Sequence, residues 1–398
     1  MALAVCVGLG DHYSGLFYPL GGPMSWLHRA ATLLAAAGLL LTAALPASAA
    51  PGPNSPGKGA EHEHFASHPL RVMPQAVNTA PTGLSPAAIQ KAYSFPTSAA
   101  AGAGKTIAIV DAYNDPTIAS DLAAFTAQYG LPGCTTANVC FTKVNQTGGT
   151  KYPKSDSGWS LEIALDVEWA HAVAPGAKIL LVEANSASFT DLMAAEDNAS
   201  AHAQYVSNSW GAAEFSGEAS SDTHFARPGV SFFASAGDQG APATYPSSSP
   251  NVISVGGTKL NLDSTGAVAS ETGWASSGGG CSAYETAGPA QAAFGQYTQL
   301  NCAGKRATPD VPLDADPASG VSLYDSTSYN GRTGWFTVGG TSASSPMWAA
   351  RAADTGALVN ASYVYGSSVA FRDILIGNKG NPCLTGEDLV TGRGSWDG

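Results

Sequence analysis

Glu162 and Asp166 stand four residues apart in EIALDVEWAHAV, a spacing that puts both carboxylates on one face of a helix. Like charges so close disfavour each other unless they share a proton, and sharing raises the proton affinity of one of them. Leu161, Ile163, Leu165 and Val167 surround the pair with apolar side chains. Ser342 in GGTSASSPMWAA follows a Gly-Gly turn and precedes a helical stretch. A hydroxyl at such a junction lies near a positive helix end, where it can serve as a nucleophile. VSFFASAGDQG ends an apolar strand at Asp238, whose carboxyl could donate to a developing oxyanion when protonated and would repel it when ionised. Asp373 in FRDI and Asp388 in TGEDLVTGRGS offer the oxygen ligands a hard cation such as calcium takes, without EF-hand spacing. A solvated acidic face including Glu168, an N-cap serine and a strand-end turn would leave the same traces. Ser344 and Ser345 suit capping or packing better than attack. No one of these features decides the chemistry alone.

The segments around them must hold these groups in place. KTIAIVDAY is a β-branched, almost continuous apolar run, as expected of a buried parallel strand. DPTIASDLAAFTAQYG, GWSLEIALDVEWAHAVA and FTDLMAAEDNASAHA have helical spacing, and AKILLVEA, YVSNSW, VSFFASAG and NVISVGG read as further strands. The alternation predicts an α/β fold with a mostly parallel β-sheet and helices on both faces. Residues 81–398 form one expected domain. Residues 50–80, rich in Pro, Gly, Ala and His, read as a flexible mature N-terminus, and His62, His64 and His68 as part of that polar segment. Residues 1–49 read as an N-terminal extension and secretory signal peptide. Arg29 precedes the apolar run ATLLAAAGLLLTAAL, and Ala47-Ser48-Ala49 is a small-x-small cleavage site. The run is short for a stable membrane anchor.

The chain has 398 residues, of which 12% are charged, with a formal net charge of -12. No basic cluster is interleaved with aromatics, which argues against a nucleic-acid partner. Of six cysteines, Cys6 falls in the expected leader; Cys134 with Cys140, and Cys281 with Cys302, flank short polar loops and could form local disulfides in an oxidising compartment, leaving Cys383 over. Nothing in the sequence demands an oligomer, so a monomer is expected.

GTSASSP resembles the nucleophile motif of subtilisin-like peptidases, and SFFASAGDQG resembles the strand that supplies their oxyanion asparagine, with aspartate substituted. The subtilisin histidine motif HGTHVAG has no counterpart, and EIALDVEWAHAVAPGA stands where a base would be sought. Together with IAIVDAYNDP, SNSWG, TPDVPLDADPASG, FRDI and DLVTGRGS, over roughly residues 84–396, the chain resembles the sedolisin family, the serine-carboxyl peptidases. The resemblance implies a subtilisin-like fold in which Ser342 is the nucleophile, Glu162 the general base, Asp166 its tuning partner and Asp238 the oxyanion donor. It implies a structural calcium ion on the side chains of Asp373 and Asp388 and the carbonyls of Ile374, Leu384 and Gly386. Residues 207–211 would line the cleft and pair with an extended peptide or protein substrate. Asp111 resembles the position of the subtilisin triad aspartate and, without the histidine, is expected to be structural; His171 is expected to pack. The implied activity is that of a secreted peptidase working through an acyl-enzyme at acidic pH, and the alternative is an inactive calcium-stabilised peptide-binding protein. Sedolisin-like enzymes usually carry a long propeptide, and only some 30 residues separate the signal site from the first catalytic segment.

Overall fold

The computed structural model describes residues 63–73, 80–366 and 369–397. The expected leader and residues 50–62 lie outside the described residues. The central sheet contains strands β1 (Thr106–Ala112), β2 (Phe141–Asn145), β3 (Lys178–Ala184), β4 (Tyr205–Asn208), β5 (Ser231–Ser235), β6 (Ile253–Leu262), β7 (Val268–Gly273) and β8 (Val311–Asp314). Their order is β7-β6-β5-β4-β1-β3-β2, with β8 also paired to β6. Every pair is parallel except β7 with β6. The sheet is therefore mostly parallel, as the alternation of elements predicts.

Strand alternation sends the two sides of β1 into different cores. Ile107 and Ile109 pack with Leu161, Ile163, Leu165 and Trp169 of helix α3 (Ser157–Val173). Ala108, Val110 and Ala112 pack with Leu192, Met193 and Ala195 of helix α4 (Phe189–His202). Both faces are thus covered by helices, and the apolar run of β1 has no polar side to show. Helix α1 (Pro86–Ala92) starts at Ser85, whose hydroxyl accepts the Ala88 N–H, and α2 (Ile118–Tyr129) stops at Gly130 in the left-handed region.

Helix α3 is buried from Trp159 to Val173, so it has no solvent-facing stripe. It packs against α2, β1, strand β9 (Val321–Tyr329) and helix α5 (Thr341–Thr355). β9 forms an antiparallel hairpin with β10 (Arg332–Gly339), which delivers the chain to the start of α5. Within the stretch expected to be flexible, residues 63–73 are extended and paired: Arg71 and Val72 lie opposite Gly339 and Val338 of β10, and Ser67 bridges Gly211.

Candidate active site

A carboxylate pair on a buried helix must be anchored at the helix end that sets its depth. The Asp156 side chain caps α3 by accepting the N–H groups of Gly158 and Trp159 at 3.0 and 3.1 Å. One turn further on, Glu162 and then Asp166 are fully buried. Asp166 Oδ1 accepts the Ser209 hydroxyl at 3.0 Å, and Ser209 Oγ also lies 3.4 Å from the carbonyl oxygen of Ser342. That carbonyl is available because the residue four positions on is Pro346, which has no N–H to return inside the helix. Helix α5 and helix α3 are thereby joined through one serine at the end of β4.

Asp238 sits beyond β5 after Gly237 and is 3% exposed. Its Oδ1 accepts the Thr341 N–H at 2.9 Å and faces the Thr341 hydroxyl at 3.1 Å, one residue before Ser342. Thr341 Oγ1 in turn accepts the Gly237 N–H at 3.0 Å, which ties the two loops together. Gly340 has φ 115, a conformation that favours glycine, and a Cβ there would lie 2.9 Å from Asp238 Oδ2. Ser342 Oγ, both oxygens of Glu162, Asp166 Oδ2 and Asp238 Oδ2 are buried with no hydrogen-bond partner.

The electrostatics follow from burial. Asp238 is pushed up to about 7 by burial, against the Thr341 hydrogen bonds and the Arg71 charge, with Glu162 adding to the rise. Burial, then the charges of Asp111 and Glu162, hold Asp166 well above the usual carboxylate range. Asp111, with neither oxygen partnered, is raised in the same way by burial and by Glu162 and Glu183. Such a group of carboxylates holds protons at pH values where free ones would lose them. When Asp166 is protonated it can donate to Ser209, and Ser209 can then donate to the Ser342 carbonyl.

Two groups come from outside the domain's expected start. His68 Nδ1 lies 3.2 Å from Glu162 Oε2, an ion-pair distance off hydrogen-bonding angle. Burial lowers the His68 pKa, but the contact with Glu162 and the charges of Glu162, Asp156 and Asp238 outweigh it and leave it raised. Arg71 Nη2 donates to the Asp238 carbonyl at 2.5 Å, and Nε lies 3.5 Å from Asp238 Oδ2. Neither residue carries a sequence signal. Asp111 was visible as a strand-end acid but not as a member of the carboxylate cluster. His171 Nε2 donates to the Pro132 carbonyl oxygen at 2.8 Å, and the side chain is fully buried.

The expected cation loop lies apart from these groups. Asp373 Oδ2 accepts the Gly386 N–H at 2.9 Å, and Asp388 Oδ2 accepts the Leu384 N–H at 3.1 Å, while Ile374 is buried beside them. Asp373 Oδ1 is buried without a partner. Elsewhere, ligand atoms of the buried Asp115, Asp121 and Asp325 lie within 4.8 Å of one another, a spacing one metal ion can bridge. The disulfides Cys134–Cys140 and Cys281–Cys302 are formed, and Cys383 is free and buried. No helix among the described residues is long and apolar enough to cross a membrane.

Residues 139–388 match the subtilase family. Kumamolisin from Bacillus sp. (strain MN-32) is 31% identical over 304 residues, covering 69% of this chain and 52% of the relative. Sedolisin from Pseudomonas sp. (strain 101) is 27% identical over 363 residues, covering 76% and 59%. The chain thus spans about half the length of the curated relatives it matches. Among solved structures, Pseudomonas sedolisin, a serine-carboxyl proteinase complexed with pseudo-iodotyrostatin, superposes with TM-score 0.67 at 28% identity, covering 80% of this chain and 96% of that one. The chain belongs to the subtilase family of serine peptidases, with a subtilisin-like fold and its homology on the sedolisin, serine-carboxyl side.

Proposed function

We propose that the chain hydrolyses peptide bonds through an acyl-enzyme on Ser342, in an acidic extracellular setting. The observation that carries this reading is that Ser342 Oγ and Glu162 Oε1 are buried without a hydrogen-bond partner, while Glu162 Oε2 faces His68 Nδ1 at 3.2 Å and its charge bears on the raised carboxyl of Asp238. Glu162 takes the Ser342 proton as the hydroxyl attacks a substrate carbonyl, then returns it to the leaving amine. Asp166 holds Glu162's neighbourhood proton-rich and links α3 to α5 through Ser209. Protonated Asp238 donates to the oxyanion, while Thr341 fixes its other oxygen. The disulfides suit an oxidising compartment, and the signal-like leader implies export.

Cleavage of an added peptide from pH 2 to 8 tests the reading, with Ser342→Ala and Glu162→Gln proteins beside the wild type. Acidic cleavage that both variants lose supports it. Cleavage that survives in Ser342→Ala refutes the nucleophile, and survival in Glu162→Gln refutes the base.

A calcium ion fits the loop near the C-terminus, because the buried, unpartnered Asp373 Oδ1 calls for a positive partner. Asp373 and Asp388 would hold it with the carbonyls of Ile374, Leu384 and Gly386. When bound, it supplies charge compensation that ties residues 384–388 to residues 373–374. Chelation is expected to lower the Tm of the Ser342→Ala protein, and an unchanged Tm in an ion-free sample would remove this ion from the account.

A further inference from the structure

Asp115, Asp121, Glu168 and Asp325 are each at most 1% exposed and come from four parts of the chain. Asp115 follows β1, Asp121 lies in the first turn of α2, Glu168 is on α3 and Asp325 is on β9. Hydrogen bonds hold one side of this group. Asp115 Oδ1 accepts the Thr117 N–H and hydroxyl, both at 2.9 Å, and Glu168 Oε2 accepts the Tyr324 N–H at 3.0 Å. The β9–β10 register shifts after Asp325, and the N–H groups beyond it turn to carboxylates. Ser326 gives its N–H and hydroxyl to Asp121 at 3.0 and 2.7 Å, and the Thr327 N–H goes to Asp325 Oδ1 at 2.7 Å.

The other side of the group is bare. Asp115 Oδ2, Asp325 Oδ2 and Glu168 Oε1 are buried with no hydrogen-bond partner. Ligand atoms of Asp115, Asp121 and Asp325 lie within 4.8 Å of one another, and the charges of all three bear on Glu168. An ionised carboxylate leaves water only when its charge is matched. Lys143 adjoins the group but is engaged elsewhere: Nζ donates to Asn114 Oδ1 and to the Asp115 carbonyl, both at 2.7 Å, and pairs with Glu183 at 3.4 Å. Among the described residues, no Lys, Arg or His forms an ion pair with any of the four carboxylates.

We propose that Asp115, Asp121 and Asp325 hold a calcium ion, at a site separate from the Asp373–Asp388 loop, with Glu168 as a fourth charge facing it. The donors are oxygen alone, which selects a hard cation. Magnesium keeps several of its waters, which a group this buried has no open side to admit. Calcium accepts an irregular set of oxygens, and three carboxylates bound through both oxygens reach the lower end of its range. The ion ties the loop after β1, the start of α2 and the β9 hairpin together. Glu168 brings in α3, the helix of Glu162 and Asp166, while β9 leads through β10 to α5 and Ser342. The site therefore braces the two helices that carry the proposed base and nucleophile.

The test counts calcium ions per chain at pH 7, by equilibrium dialysis and metal analysis of EDTA-stripped Ser342→Ala protein beside the Ser342→Ala, Asp325→Asn protein. Asparagine keeps an oxygen for the Thr327 N–H and removes the charge, so the variant is expected to fold. The parent is expected to bind one more calcium ion than the variant and to gain more in Tm on calcium addition. The Asp373–Asp388 loop is the same in both proteins, so the difference does not depend on whether that loop binds an ion. Equal numbers of bound ions in two folded proteins overturn the inference, since the carboxyls then share protons and no metal. A difference of the same size with magnesium in place of calcium overturns the choice of ion. Should the variant not fold, crystals of the Ser342→Ala protein soaked in terbium, a calcium substitute, give the answer without it. An anomalous peak among Asp115, Asp121 and Asp325 supports the site, and peaks only elsewhere, or none, overturn it.

Discussion

A carboxyl stabilises an oxyanion only while it carries its proton, and burial raises Asp238 to about 7. Below that value the group donates; above it, the charge repels the oxyanion, so turnover should fall as pH rises through about 7. Arg71 pulls the other way, so a substrate that displaces residues 63–73 leaves Asp238 holding its proton more firmly. Asp238→Asn keeps a donor that cannot ionise, and its kcat profile from pH 3 to 9 should lose the alkaline limb. Asp238→Ala should cost about 10²–10³ in kcat, the range for one lost oxyanion donor. If Asp238→Asn keeps the wild-type limb, another group sets it. Ser342, Glu162, Asp166 and Asp238 stood out in the sequence as candidates, and it was the family resemblance that gave them roles, since each residue alone also fits a cap, a turn or an acidic face. Ser209 was legible only as part of a cleft segment, because it meets Asp166 across 43 residues of chain. His68 and Arg71 gave no signal, since a polar, proline-rich stretch looks the same whether it is solvated or laid along a cleft.

At the scale of elements, the site depends on junctions more than on helix or strand interiors. The turn from β10 into α5 is one of these. Alanine at Gly340 would need φ 115 and would place a Cβ 2.2 Å from the Pro69 carbonyl and 2.9 Å from Asp238 Oδ2. The variant can relieve the first contact by expelling residues 63–73, but the second moves Asp238, the proposed oxyanion donor. Gly340→Ala is therefore expected to lose roughly 100-fold or more in kcat, with a circular dichroism spectrum like the wild type. Activity within a few-fold of wild type would mean the turn is looser than its geometry implies. The helices and parallel strands were legible as apolar runs and helical periods. The β9–β10 hairpin was not, because VSLYDSTSY and RTGWFTVG mix polar and apolar residues and a register shift interrupts the pairing after Asp325. Its one clear mark is the turn Asn330-Gly331, with φ 52 and 77, the pair of positive values that favours Asn-Gly.

The whole molecule buries carboxyl groups far from the site as well as within it. Burial is the largest cause in each case: it raises Glu285 to about 7 and Glu218 to about 8, and holds Asp314 and Glu196 well above the usual range alongside Asp111 and Asp166. A carboxyl whose folded pKa is raised keeps its proton where the unfolded chain, titrating near about 4, has lost it. Its contribution to stability is complete below the unfolded value and is lost as pH rises through the folded one. For Glu285 and Glu218 the window runs from about 4 to about 7 and about 8, and the other buried carboxyls act in the same direction. A protein that needs Asp238 protonated to work should therefore also be most stable where that proton is held. Calorimetry of the Ser342→Ala protein in calcium-saturated buffer should show Tm falling by on the order of 10 °C between pH 4 and pH 8. A Tm that is flat or rises over that range would mean the buried carboxyls lose their protons at ordinary values, and the acidic optimum argued from Asp238 would lose its physical basis.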